Sequence, residues 1–230
     1  MKKIIGLLLL ALWASACTKV YFEEAQPKGV SAESFLPPNF QGMYVYPKHG
    51  KNAPNDTSIL ASNYYRQIEY SVTQLSKATV DTNLNYRLEG EHFLIKKDNG
   101  HEEVYDYRAF KDSIAYWKRS DEINKLSDSL VYKSYKGYHF INIREEDGWM
   151  TLLMRKNEQG DILLTGIDDE AIEAIQMFTE VKTIFEENGK TIKYYSIAPK
   201  RKELLQLIGA GLFESEGMTF EEKFRVKSGD

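Results

Sequence analysis

Cysteine is nearly absent: Cys17 is the only one in 230 residues. A single thiol rules out an internal disulfide, a zinc ribbon and an iron–sulfur cluster. Histidine is scarce too. His49, His92, His101 and His139 are the whole set. No two stand four residues apart and none adjoins the cysteine, so no spacing proposes a zinc site. The chain has no G-x-S-x-G, no G-x-x-x-x-G-K-[ST] and no G-x-G-x-x-G. A serine hydrolase, a P-loop enzyme and a dinucleotide-binding enzyme are therefore without their signatures. Basic residues number 30 against 34 acids, which argues against nucleic acid as a partner. No apolar run reaches the ~18 residues of a membrane-spanning helix. No cofactor and no metal is expected.

What is present begins at the N-terminus, MKKIIGLLLLALWASACTKV. Lys2 and Lys3 precede an apolar run from Ile4 to Trp13, broken only by Gly6. At ~1.5 Å per residue this run spans about half of a ~30 Å hydrocarbon core. That suits the apolar region of a signal peptide over residues 1–16. Ala14, Ser15 and Ala16 then lead into Cys17. Here the chain resembles bacterial lipoprotein precursors, although Ala14 stands where that family most often has Leu. The resemblance implies diacylation of the Cys17 thiol, cleavage before it, and attachment to a membrane through an N-terminal lipid. Thr18, in place of the Asp that retains enterobacterial lipoproteins in the inner membrane, leans the expected location towards the outer membrane. Ala14-Ser15-Ala16 also fits ordinary signal peptidase, and a third reading makes residues 1–16 a buried helix. Cleavage before Cys17 removes two lysines and no acid, taking the formal charge from −4 to −6.

Residues 17–37 read as the lipidated cysteine and a tether, broken up by Pro27, Gly29, Ser31 and Ser34. As flexible chain it would hold a domain about 25 Å from its anchor. Val20, Tyr21 and Phe22 form an apolar patch within it, able to dock on the domain or on the membrane interface.

From 38 to 167 the pattern is an antiparallel, strand-rich body. NFQGMYVY opens it and 47–62 reads as a long loop. Tyr65 to Leu75 alternates as a strand does, although residues 63–77 also admit a helix, and HFLIKKDNGHEEVYDY reads as a hairpin around Asn99-Gly100. Residues 130–167 read as a four-stranded meander with turns at Lys136-Gly137, Asp147-Gly148 and Gln159-Gly160. From 168 to 230 the pattern becomes helix–strand–helix–strand. Ile172, Ile175, Phe178, Val181 and Phe185 make an apolar stripe at helical steps, and 199–211 reads as a second helix, with Pro199 at or before its start and Gly209 near its end. The expected fold class is α+β. NFQGMYVY and SYKGYHFI (134–141) share an aromatic-x-Gly pattern that a duplicated β unit would produce. Gly42-Met43-Tyr44 is similar to the Gly-x-Trp of the opening lipocalin strand, but that family's later motifs are missing.

Aromatics make up 13% of the chain, with fifteen tyrosines. Trp117, Tyr138 and Trp149, with Tyr116 and Phe140, lie on predicted strands. They read either as ordinary β core or, for Trp117, Tyr138 and Trp149, as a binding face that stacks sugar rings or peptide side chains. Most of the five acidic clusters lie at predicted turns or helix ends, where solvated carboxylates belong. The leading expectation is a lipid-anchored envelope protein, a non-catalytic binding or interaction module of unspecified partner. The alternatives are an envelope hydrolase with paired carboxylates across a cleft, or a carrier of a small apolar ligand with a cavity in its β body.

Overall fold

Alternation along Gly42–Tyr46 sends Tyr44 inward and leaves Met43 on the outer surface. This inside–outside rhythm recurs through most of the chain. A computed structural model describes residues 18–46, 54–214 and 217–225. The α+β expectation does not hold: 52% of the described residues are strand and 13% helical. Among the described residues fifteen strands form one mixed sheet, and the three helices are six, four and nine residues long.

In chain order the strands are β1 (Lys19–Phe22), β2 (Gly42–Tyr46), β3 (Asp56–Leu60), β4 (Tyr64–Ser76), β5 (Tyr86–Glu89), β6 (His92–Lys96) and β7 (Glu102–Ala109). They continue as β8 (Ser113–Lys125), β9 (Leu130–Tyr135), β10 (Tyr138–Arg144), β11 (Trp149–Lys156) and β12 (Ile162–Thr165). The last are β13 (Val181–Phe185), β14 (Ile192–Ile197) and β15 (Met218–Arg225). The helices are α1 (Lys77–Thr82), α2 (Ile172–Ile175) and α3 (Arg201–Gly209). The C-terminal β15 joins β12 to β2, so the end of the chain ties the meander to the first antiparallel strands. Gly42 sits at that seam. A Cβ there would lie 2.6 Å from the Phe224 carbonyl oxygen, closer than any side chain tolerates.

The segment 168–187 shows why the fold class changes. Ile172 and Ile175 keep helical spacing and enter the core, but the helix ends there. Val181, Thr183 and Ile184 are β-branched and favour extended backbone. They pair with β14 as an edge strand, and Phe185 is left 50% exposed instead of completing a buried stripe. A short apolar run is ambiguous between the two periods until its partner is known. Asp56–Leu60, within the expected long loop, is strand β3; residues 47–53 lie outside the described residues.

The expected tether is also corrected. Val20, Tyr21 and Phe22 dock on the domain as strand β1, parallel to β14 and touching β11 at Trp149. All three are buried. Residues 23–36 then run across the sheet as a strap. Gln26 is fully buried, its N–H donating to Asn142 Oδ1 at 2.7 Å while Asn142 Nδ2 donates to the Gln26 carbonyl at 2.8 Å. Thr151 Oγ1 donates to the same Asn142 oxygen at 2.8 Å. The buried Lys133 ammonium donates to the carbonyls of Ala25 at 2.6 Å and Pro27 at 3.2 Å. A buried side-chain network of this kind is costly to leave half-made, so it pins the strap in one place.

Three cores result. The first lies under β1, β10, β11, β14 and the helices α2 and α3, with Phe22, Phe140, Leu153 and Leu204 at its centre. The second lies inside the curl of β2, β9, β11, β12 and β15, around Tyr44, Tyr132 and Ile162. The third is small and separate: Val80, Phe93, Ile95 and Ile114. The two shared-glycine segments serve different ends. Gly42 is a strand residue in close contact, whereas Gly137 turns a hairpin at φ +83°.

Candidate binding surfaces

β4 and β8 pair over their full thirteen residues, from Tyr64 opposite Lys125 to Ser76 opposite Ser113. β3 leaves β4 at Ile68. The eight residues from Glu69 to Ser76 therefore run on for roughly 26 Å at ~3.3 Å each. With β5, β6, β7 and α1 they build a lobe on the third core. Ser76 caps α1 by accepting the Thr79 N–H at 3.0 Å, which lets Val80 reach that core.

Trp117 stands on this lobe. On one face a cross-strand row runs Val72, Trp117, Asp106, His92 and Glu89. The indole is half-exposed, with Val72 on one side and Asp106 on the other. His92 Nδ1 lies 3.5 Å from Asp106 Oδ1. Val104, 58% exposed, and Arg119 line the same shallow depression as Trp117, which has a volume of about 420 Å³. Arg119 and Arg66 hold the Asp121 carboxylate between them at 2.7 and 2.6 Å. The hydrogen bonds from Arg66 keep that carboxyl well below the usual carboxylate range. Glu103 is also held low, by the Tyr105 hydroxyl and by Lys97 at 3.0 Å. The depression thus offers one flat ring framed by fixed charges of both signs.

Tyr138 and Trp149 lie elsewhere. Both pack against the first core, at opposite ends of the β10–β11 hairpin. Trp149 is half-buried with the Arg144 guanidinium 5.2 Å from its ring centre. Trp117, Tyr138 and Trp149 accordingly do not form one face: two belong to the main core's margin and one to the lobe. Phe140 is core, and Tyr116 packs on Phe93 with ring centres 4.8 Å apart. Cys17 and His49 lie outside the described residues. His101 lines the Trp117 depression. His139 is enclosed by Phe40 and Tyr132, its Nδ1 2.7 Å from the Tyr132 hydroxyl, and burial pushes its pKa down. Among the described residues no group of three His, Cys, Asp or Glu side chains could hold a metal ion.

A second feature is apolar. Inside the curled sheet a cavity of about 70 Å³ is lined by residues including Tyr44, Leu60, Tyr65, Ile141, Met154 and Phe220. No acidic, basic or histidine side chain lines it. Tyr44 closes one side, its hydroxyl donating to the Phe40 carbonyl at 2.9 Å, with the Lys156 ammonium 5.5 Å from its ring centre. Lys156 in turn pairs with Glu222 at 2.9 Å. This space suits a few carbon atoms and falls well below the ~300 Å³ of ordinary ligand pockets.

Sequence reasoning missed the surroundings of β1. Tyr21 donates its hydroxyl to Glu145, which also holds Lys19 at 3.3 Å. Burial, then the Glu145 contact, pushes the Tyr21 phenol far up. Only the run Val20-Tyr21-Phe22 signalled this arrangement. No protein-family model, curated protein or solved structure matches the chain.

Proposed function

We propose that this protein is a lipid-anchored component of a bacterial cell envelope that binds a partner without transforming it. Cys17 carries the lipid, the outer membrane is the location favoured by Thr18, and the Trp117 face of the lobe is the binding element. One observation carries the binding reading: a half-buried indole set in a cross-strand row, bordered by Val104, Asp106 and Arg119. A flat ring with hydrogen-bonding groups at its rim suits a sugar ring or a planar peptide side chain. The hydrolase alternative needs two carboxylates facing across a cleft. The apolar cavity has none in its lining, and the two shifted carboxyls of the lobe are shifted down. The cavity itself favours a second, lesser reading, the uptake of a short alkyl or small aromatic group.

The test has two parts. Mass spectrometry of protein extracted from membranes should find a diacylglyceryl group on Cys17, and Cys17→Ser should move the protein to the soluble fraction. Purified chain should bind isolated envelope polysaccharide or envelope-protein fractions. Trp117→Ala should weaken that binding about fivefold, from ~1 kcal/mol of lost stacking. Unchanged binding after Trp117→Ala would remove the lobe face from consideration.

A further inference from the structure

The start of the described chain is built into the sheet. Thr18 is half-buried and its N–H donates to Asp169 Oδ2 at 3.0 Å. Lys19 to Phe22 follow at once as β1, and Phe22 is 1% exposed in the main core. Glu23 N–H continues the pairing onto the Ile197 carbonyl at 3.0 Å. The far side of β1 is closed just as tightly. A Cβ at Gly148 would come within 2.9 Å of the Tyr21 Cβ, so the hairpin turn admits β1 only because residue 148 is glycine. β1 is thus a fixed strand, not the end of a flexible leader.

We infer that the domain has no spacer from its anchor and sits directly on the bilayer, mounted through β1 with the surface around Thr18 and Asp169 against the headgroups. The inference rests on lipidation of Cys17. Two residues of chain reach at most ~7 Å, so the Cys17 Cα stays within that distance of the Lys19 Cα and the thioether-linked glyceryl group only a side chain's length beyond. A flexible 18-residue leader would allow about 25 Å. The contact surface carries Asp168, Asp169 and Glu170 with Lys19 among them, and Lys19 is already paired with Glu145. Its excess of negative charge selects a zwitterionic lipid surface over an anionic one.

The lipidated full-length protein provides the test. With Cys17 acylated, an introduced cysteine is the only free thiol. A fluorophore is placed at Glu170→Cys in one variant and at Leu84→Cys, just beyond α1 in the lobe, in another. Both positions are exposed. β1 runs antiparallel to β11, so its Thr18 end points the way β11 runs towards Lys156, and the antiparallel pairing carried through β12, β15, β2 and β3 sends Glu69–Ser76 of β4, roughly 26 Å of strand, the opposite way. Each protein is reconstituted in phosphatidylcholine vesicles containing a nitroxide-headgroup lipid. The label at 170 should lose most of its fluorescence and the label at 84 should keep most of its own. Inserting about 16 Gly/Ser residues between Thr18 and Lys19, a spacer of roughly 20–24 Å, should abolish the difference. Equal quenching at both positions without the insertion, in protein that floats with the vesicles, overturns the mounted orientation alone. Protein that neither floats nor carries acyl mass overturns the lipid anchor and the mount with it.

Discussion

The main body and the lobe use the same element in opposite ways. In the body, β11 has four consecutive buried residues, Thr151 to Met154, because both of its faces are covered. In the lobe, β7 alternates half-buried and exposed along most of its length. The body is filled by aliphatic and aromatic side chains drawn from segments more than a hundred residues apart. The lobe relies on four buried residues and a cluster of rings, Tyr86 on Phe93, Phe93 on Tyr116, and Tyr105 on Tyr116. The difference teaches where stability and where display reside. A strand covered on both faces can only support, whereas one covered on a single face has the other free to present Trp117.

The comparison breaks most visibly under large core truncations. Phe140→Ala should cost about 3–5 kcal/mol and lower the denaturant midpoint of the whole chain. Phe93→Ala should instead raise amide exchange in β5–β7 first, with the body's slowest amides retained. Coincident global unfolding in both variants would show that the lobe and body are one cooperative unit. Next in size is the strap. Asn142→Ala leaves the buried Gln26 N–H without its acceptor, a loss of about 1–3 kcal/mol. Limited trypsin digestion should then cut after Lys28 under conditions that leave the parent intact. Gly148→Ala places a methyl against Tyr21 and should cost about 1–3 kcal/mol of overpacking, read as a lower thermal midpoint. A similar substitution at Gly90, in the lobe, meets no atom within 4 Å, and there only its φ of +59° opposes a side chain.

The smallest effect is a dependence on pH in the body. Burial lowers the His139 pKa below its ordinary 6.5, so the unfolded chain binds a proton before the folded one does. Stability is complete above about pH 6.5 and falls as the pH drops from there towards the folded value, where it levels off. His139→Gln should flatten the midpoint-versus-pH curve in that window. A curve that stays equally steep would assign the slope to other groups.

Much of the strand pattern was readable residue by residue. The Asn99-Gly100 hairpin, the turn at Lys136-Gly137 with φ of +51° and +83°, and the turn at Gly160 with φ of +97° all stand between alternating runs. α3 was equally readable from its apolar spacing and its Pro199 and Gly209 flanks, because helix boundaries are local chemistry. The candidate site was less legible. Trp117, Tyr138 and Trp149 shared residue type and predicted strand context, but which side of which strand each occupies depends on register with Val72, Tyr135 and Arg144.

By itself the sequence determined the elements whose signals are complete within a dozen residues: alternation, turn glycines, helix ends, and the charged-apolar-small order before Cys17. Only the tertiary structure decided the rest. Lys19–Phe22 is a strand because Tyr194–Ile197 and Gly148 accept it, and Val181–Phe185 is a strand because β14 offers its edge. The strap lies where Asn142 and Lys133 satisfy its carbonyls and N–H groups. In each case the partner is remote in the chain, except for β13 and β14. Even there a helix and an edge strand compete over the same residues. Pairing and burial, which no local window contains, settle the outcome.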